Sequence, residues 1–335
     1  MKIRLLLPLL PLAMVWTLSS CDKPSPGGSE APSAEATGAS KEPEKTFAEV
    51  EPASEPEPEE PSGPVDIGFF GSDEPHERED MPRRGIITFT GDDGKHTTQQ
   101  HWEQWDWEGF DAKRWGRYHV RITYTMRMST LPMQFKVAEQ RLKKTLKASY
   151  EPQKSYLGTV YIPAAGPQPF AMYSAAKGVS SGLEIQEVAF IPAPEGDPVA
   201  QDGKSAITLP AASATTWSEM MRYEPKPEKQ CLGFWTSEED FAEWEFEVAH
   251  PGKYEVVVTH GCGNGNDGSE VAVLSGEDRL TFKVADTGGF QNWKDVVVGE
   301  IAFAEAGTQR LVIDPLTRAN KAVLDVRKVV LTPVN

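Results

Sequence analysis

The sequence predicts an all-β protein in which two similar modules follow a signal segment and a disordered linker. Short segments with alternating apolar and polar side chains fill the chain beyond residue 63, and Gly, Pro, Asn and Asp turns separate them. One ordered set of these segments occurs twice. The residues before position 64 have too few apolar side chains to build a core.

The first twenty residues are typical of a secretory signal. Lys2 and Arg4 precede an apolar run over residues 5–16, which is too short to span a bilayer. Leu18-Ser19-Ser20-Cys21 follows and resembles the lipobox of bacterial lipoproteins. The resemblance implies cleavage before Cys21, lipidation of that cysteine and a lipid anchor in the bacterial cell envelope. The choice between inner and outer membrane stays open, and cleavage elsewhere with an unmodified Cys21 is the alternative.

Residues 21–63 form the predicted disordered linker. They are rich in Pro, Glu and Ser, carry eleven acidic residues against three lysines, and contain Phe47 as their one aromatic residue. Such a composition cannot bury enough apolar surface to offset the entropy of ordering. The whole chain has a formal net charge of −16. This acidity argues against nucleic acid as a partner.

An internal repeat divides the rest of the chain into two modules. Residues 116–124 (GRYHVRITY) match residues 252–260 (GKYEVVVTH) at an offset of 136, and later segments match at offsets of 138 and 141. Small loop insertions in one copy produce an offset that grows along the chain. We therefore predict a first module over residues 64–198 and a second over residues 199–335.

One stretch conflicts with the all-β prediction. Residues 138–148 (AEQRLKKTLKA) have the composition of a helix. Their counterpart in the second copy, residues 274–285, has a Ser-Gly-Glu-Asp turn that leads into an alternating strand pattern. Because tertiary context overrides weak propensities, the repeat predicts strands in both copies.

The second copy resembles a family of sugar-binding domains. Residues 231–235 (CLGFW), 244–248 (WEFEV) and 287–293 (TGGFQNW) resemble segments of family six carbohydrate-binding modules. Residues 222–225 (RYEP) and 261–263 (GCG) add a similarity to the β-sandwich appended to secreted bacterial sulfatases and fucosidases. The resemblance implies a galactose-binding-like jelly roll with two antiparallel sheets, and the repeat extends this fold to the first copy.

The same resemblance implies a sugar site in a loop cleft of the second copy. Two aromatic rings would hold a sugar between them while a polar residue at the last strand binds its hydroxyls. The matching residues are Phe234, Trp235, Phe290, Asn292 and Asp325. A role in the core is an equal alternative for Phe234 and Phe290, since aromatic side chains are usually structural.

The first copy lacks the corresponding signals. Thr125-Met126-Arg127 replaces the Gly-Cys-Gly segment, and Tyr150 is only an approximate counterpart of Phe290. We therefore expect the first copy to be a degenerate, structural module.

Cysteine and metal chemistry give weaker predictions. Export favours oxidation, and Cys231 and Cys262 remain once Cys21 is lipidated, so a disulfide between them is predicted. The alternative is that Cys262 is a buried small residue. Four oxygen-bearing residues form a weak calcium candidate that departs from the known loop signature and that plain turn chemistry explains: Asn264, Asn266, Asp267 and Glu270. His96 and His101 lack a third zinc ligand and are interpreted as surface residues. No cofactor is predicted.

The sequence thus predicts a non-catalytic lipoprotein that binds a polysaccharide or glycan through its second module. The alternative is a structural or protein-interaction lipoprotein without a sugar site. A third reading, an enzyme with an unfamiliar site within residues 66–104, rests on no catalytic motif.

Overall fold

A computed structural model describes residues 82–99, 102–174, 181–263 and 265–334. The predicted signal peptide and linker, with Cys21, lie outside the described residues, as do His101 and Asn264. The described residues form strands joined by turns and two short 3-10 segments, Gly91–Asp93 and Ala211–Ser213. This confirms the all-β class.

The first module has one seven-stranded antiparallel sheet, and its strands are β1 (Ile87–Phe89), β2 (Lys95–Gln99), β3 (Trp102–Ala112), β4 (Gly116–Val137), β5 (Gln140–Ile162), β6 (Gly166–Ser174) and β7 (Glu184–Pro192). The strand order is β1-β7-β4-β6-β3-β2, and β5 pairs with β4.

Strand β4 joins two layers of this module. Its first half pairs with β7, from Tyr118 to Thr125, and its last residues, 133–137, pair with β6. Register shifts between Tyr124 and Thr130 mark the place where the strand bends. Apolar side chains of both halves belong to one buried cluster, so the sheet folds over onto itself.

The second module has two facing sheets, and its strands are β8 (Val199–Ala200), β9 (Ile207–Pro210), β10 (Thr215–Trp217), β11 (Arg222–Glu224), β12 (Cys231–Gly233), β13 (Phe241–Val248), β14 (Gly252–Cys262), β15 (Glu270–Ser275), β16 (Asp278–Lys283), β17 (Gly289–Phe303), β18 (Gly307–Pro315) and β19 (Asp325–Pro333). One sheet has the order β10-β13-β18-β15-β16 with β8 beside β13, and the other has the order β11-β12-β19-β14-β17 with β9 beside β19. Between them lies a core that includes Trp235, Trp244 and Tyr254.

The two modules share one pairing scheme. Strands β1, β7, β4 and β5 of the first module pair as β9, β19, β14 and β17 do in the second. Strands β3 and β6 likewise correspond to β13 and β18. The difference lies in two connections, because β4 and β5 run without a break where the second module has the pairs β14–β15 and β16–β17.

The helix-like segment is a strand, as the repeat predicted. A turn at Ala138, with φ of 49°, leads into β5 at Gln140. Along β5, Leu142 and Leu146 face the core while Arg141, Lys143 and Thr145 are exposed on the other face. This period of two matches a strand with one buried face and overrides the helical propensity.

The modules pack against each other within one compact unit, Pro56–Asn335. Arg84 Nε donates to Asp240 Oδ1 at 2.8 Å, and Arg114 Nη2 donates to the Thr216 carbonyl at 3.1 Å. Trp115 Nε1 donates to the Tyr223 carbonyl at 3.2 Å. No helix within the described residues is long and apolar enough to cross a membrane.

Candidate functional site

The predicted sugar-site residues lie at one end of one sheet of the second module. Leu232 of β12 pairs with Val326 of β19, which lies opposite His260 of β14, and Cys262 pairs with Gly289 of β17. This register brings Phe234, Asp325 and Phe290 to the same end of the sheet. However, β12 and β17 are three strand spacings apart, which is roughly 14 Å.

Phe234 is packed into the junction between the modules. The guanidinium carbon of Arg222 lies 3.4 Å from the centroid of the Phe234 ring and 3.6 Å from that of Trp115. The two rings meet edge to face, with centroids 6.2 Å apart. Burial lowers the pKa of Arg222 to about 10. One face of the Phe234 ring is therefore covered by a buried cation, an arrangement worth about 2 kcal/mol when desolvated.

Trp235 is a core residue and cannot contact a ligand in this structure. Its side chain is fully buried, and its Nε1 donates to the Asp240 carbonyl at 3.0 Å. The prediction of Trp235 as a sugar-binding residue is corrected. The reason is the local backbone: β12 ends at Gly233, Phe234 has a φ of 58°, and Trp235 then packs between the two sheets.

Asp325 is also buried, and it faces two other polar side chains. Its Oδ2 lies 3.8 Å from the Cys231 thiol, which lies 3.9 Å from Glu224 Oε2. Lys229 Nζ pairs with the other oxygen of Glu224 at 3.0 Å. Burial, and then the charge of Glu224, raise the pKa of Asp325 well above its ordinary range. The structure therefore does not present Asp325 to a sugar.

Within the described residues, these three side chains form the one cluster close enough together to bind a single metal ion. The ligand atoms of Glu224, Cys231 and Asp325 lie within 4.8 Å of one another. Burial and the neighbouring carboxylates raise the pKa of the Cys231 thiol far above its ordinary value. A neutral thiol beside a protonated carboxyl group accounts for the cluster without an ion.

The predicted disulfide does not form. Cys231 and Cys262 are both free and buried. Strand β19 lies between the strands that carry them, so their backbones are two strand spacings apart, roughly 10 Å. In addition, Cys262 belongs to the hydrophobic core, whereas Cys231 lies with Glu224 and Asp325. A disulfide needs α-carbons within about 7 Å and side chains that face each other.

Phe290 and Asn292 remain accessible at the start of β17. Phe290 is half-buried and Asn292 is exposed. Their strand lies against Gly261, where an added β-carbon would stand 1.9 Å from the Phe290 carbonyl oxygen. Burial thus removes Trp235 and Asp325 from the predicted five-residue site, and Arg222 covers one ring face of the half-buried Phe234.

The structure does not support Asn266 as a calcium ligand, and it places His96 against an aromatic ring. Asn266 is buried, and its Oδ1 accepts the backbone N–H groups of Lys321 and Ala322, both at 3.1 Å. An amide oxygen with both lone pairs occupied is not free to bind calcium. Asn266 instead holds two loops together, and its prediction as a calcium ligand is corrected. His96 stacks on Trp105 with centroids 4.5 Å apart, a packing role.

An open groove lies on the first module, where no site was predicted. Trp102 and Tyr173 line it with polar and basic side chains, and the remaining lining residues are Pro132, Met133, Gln134, Lys143, Lys144, Thr145 and Ser174. Tyr173 is 36% exposed, which is large for an aromatic ring.

Strand alternation explains the groove. Gln104, Tyr173 and Gln134 lie opposite one another on β3, β6 and β4. The next residues along these strands, Trp105, Met172 and Phe135, fill the core. Gln104, Tyr173 and Gln134 therefore share the outer face of the sheet, while Met133 and Ser174 of the groove lining are buried neighbours of the inward parity. The alternation was visible in the sequence, but each residue is on a different strand, and only the register brings them together.

Comparison with known proteins gives no family assignment. No family model matches the chain, and no curated protein matches it. The C-terminal CBM6 of LamC, a marine laminarinase from Zobellia galactanivorans, matches 38% of this chain and 98% of its own at 19% identity, with a TM-score of 0.32. A Paenibacillus xanthan lyase matches 76% of this chain at 14% identity and a TM-score of 0.30, and the match spans only 25% of the lyase. An α-L-fucosidase from Vibrio sp. strain EJY3 matches at 12% identity over 73% of this chain and 40% of its own, with a TM-score of 0.27.

Proposed function

We propose that this chain is a non-catalytic, lipid-anchored protein of the bacterial cell envelope that binds a glycan, and that the first-module groove is its binding surface. The observation that carries the proposal is that Tyr173, which is 36% exposed, and the half-buried Trp102 line an open groove on a sheet face. Cys21 would supply the anchor through its lipobox-like context, and the linker would hold the modules clear of the membrane.

The lining of the groove suits a sugar chain. Sugar rings have apolar C–H faces that stack on aromatic rings and hydroxyl edges that need hydrogen-bonding partners. Trp102 and Tyr173 supply rings, while Gln134 and Thr145 supply amide and hydroxyl groups beside them. The groove is open along the sheet face, which fits a polymer more readily than a small enclosed ligand.

The structure also gives a reason why the second module is the weaker candidate. Trp235 and Asp325 are buried, and one face of Phe234 is covered by Arg222. Phe290 and Asn292 remain as a smaller second surface, which the same experiment tests.

The test is titration calorimetry with the mature full chain and a panel of soluble polysaccharides. Trp102→Ala and Tyr173→Ala should each weaken binding by about 1 to 3 kcal/mol, by analogy with base stacking on aromatic side chains. Tyr150→Ala is the control, because this ring is 79% exposed and lies outside the groove.

Two results would contradict the proposal. Loss of binding in Phe290→Ala but not in Trp102→Ala would move the site to the second module. Failure of every polysaccharide in the panel to bind would favour the structural or protein-interaction alternative.

A further inference from the structure

We propose that the groove selects anionic polysaccharides, whose carboxylate or sulfate groups bind the basic side chains along it. The inference rests on the proposed function and names its ligand class.

A row of polar side chains crosses five strands of this face. Thr97, Gln104, Tyr173, Gln134 and Lys143 lie opposite one another in register on β2, β3, β6, β4 and β5. Neighbours in such a row are about 4.8 Å apart, so the row extends for roughly 19 Å. Tyr173 therefore lies at the centre of the row, and Lys143 places a positive charge at its β5 end.

The adjacent row adds further positive charge. It runs through Lys95, Asp106, Ala171, Lys136 and Arg141 in the same strand order. Asp106 accepts a hydrogen bond from Gln104. The two rows together contain four basic side chains and one carboxylate, although the chain as a whole has a formal net charge of −16.

Asp106, which lies opposite Lys95, is the one carboxylate in these two rows. Within the described residues, none of Lys95, Lys136, Arg141 and Lys143 forms an ion pair. Lys136 and Arg141 lie directly opposite each other on β4 and β5. Like charges in that position destabilise a sheet. In a chain with 50 acidic residues, carboxylates to offset them are plentiful, so the arrangement points to anions supplied by a ligand.

Charge density favours an acidic polysaccharide over nucleic acid as the occupant. A nucleic acid carries a charge on every nucleotide and would approach a chain with net −16 against long-range repulsion. A polysaccharide with spaced acid groups has less charge to bring close, and its uncharged faces suit Trp102 and Tyr173.

The experiment compares matched polymers on the mature full chain by titration calorimetry. The probes are partly methyl-esterified polygalacturonate against the fully esterified polymer, and lightly sulfated dextran against dextran, so that the acid groups are spaced along each acidic polymer. We expect each acidic polymer to bind about tenfold or more tightly than its neutral partner, and the preference to shrink as salt rises. The two pairs distinguish carboxylate from sulfate as the preferred group.

The variants separate groove charge from general charge. Lys136→Gln combined with Lys143→Gln should weaken binding of the acidic polymer about tenfold and leave the neutral polymer unchanged. Lys204→Gln, an exposed lysine of the second module, is the control and should change neither.

The outcomes also separate this inference from the proposed function. Equal binding of acidic and neutral polymers, still weakened by Trp102→Ala, would overturn the charge inference and leave glycan binding intact. Absence of any Trp102-dependent binding would overturn both. Equal binding of a single-stranded oligonucleotide through the same lysines would overturn the choice of polysaccharide.

Discussion

Asp325 begins a strand, yet its carboxyl group is buried among a thiol and a second carboxyl group. Its partner at 3.8 Å is the Cys231 thiol, a weak donor, and the nearest cation, Lys229, pairs with Glu224 instead. A buried carboxylate without a strong partner is costly, so burial raises the pKa of Asp325 and favours its protonated form. The residue that a sugar site would need as an open hydrogen-bonding group is here a neutral part of the interior.

This protonation predicts a pH dependence of stability that one substitution should remove. Asp325 has a folded pKa well above the ordinary value of 3.8. Its contribution to stability is therefore complete below about pH 3.8 and is lost as pH rises toward the folded pKa. Asp325→Asn, which resembles the protonated group, should raise the melting temperature at pH 7 and change it little at pH 4.

The measurement is thermal unfolding followed by circular dichroism between pH 4 and pH 8. Asp197→Asn, at an exposed acid of the linker between modules, is the control and should have no effect at either end. A lower melting temperature for Asp325→Asn at pH 7 would mean that the carboxylate is charged and specifically bound.

At the scale of elements, the main difference between the modules is whether a strand continues or breaks. Strand β4 bends through Met126 and stays paired, whereas β14 ends at Cys262 and β15 begins at Glu270. The break allows β17 to approach Gly261 closely. The Gly-Cys-Gly segment of the second copy thus serves backbone packing, and the first copy, which keeps its strand continuous, has no need of it.

Gly261→Ala should therefore destabilise the second module strongly. The new β-carbon would stand 1.9 Å from the Phe290 carbonyl oxygen and 2.7 Å from its carbon. Both are backbone atoms, so β17 has to move. We expect a loss of about 3 kcal/mol or more in the free energy of unfolding, at the upper end for overpacking.

Urea unfolding measures this loss. The control is Gly203→Ala, where φ is +55° and no atom lies within 4 Å of an added β-carbon, so only the left-handed backbone costs about 1 kcal/mol. A loss for Gly261→Ala no larger than for the control would show that β17 adapts freely.

The sequence predicted elements better than it predicted contacts between them. Alternation along residues 254–258 or 142–146 is local and survives in the repeat, so strands were predictable even against helical propensity. Phe234 could not be placed from the sequence, because its neighbours are Arg222 of β11 and Trp115, which lies between β3 and β4 of the other module. The register that assembles the groove is likewise a property of the folded sheet.

At the scale of the whole molecule, the junction makes the two modules one packed body. Trp115 of the first module is 4% exposed and covers the Arg222 guanidinium of the second. Arg222 Nη1 donates to the Met220 carbonyl at 3.2 Å, while its Nε has no partner within the described residues. The two aromatic rings and the charge of Glu224 therefore compensate for burying this cation. Removing one ring should affect both modules.

Trp115→Ala tests this coupling. Loss of the ring leaves a cavity beside a buried cation, so we expect a cost of about 3 to 5 kcal/mol in the free energy of unfolding. Arg222→Met removes the charge at similar volume and should cost less, because Lys229 still pairs with Glu224, the carboxylate that interacts with the Arg222 charge. The loss of unfolding free energy in the double variant should differ from the sum of the two single losses by about 0.5 to 3 kcal/mol.

The readouts are urea unfolding and hydrogen exchange of β19 amides, which lie in the second module, with Tyr150→Ala as the exposed control. Faster exchange in β19 after a substitution in the first module is the expected result. Two separate unfolding transitions, with the hydrogen-exchange protection of β19 amides unchanged in Trp115→Ala, would show that the modules fold independently and that the junction does not couple their stabilities.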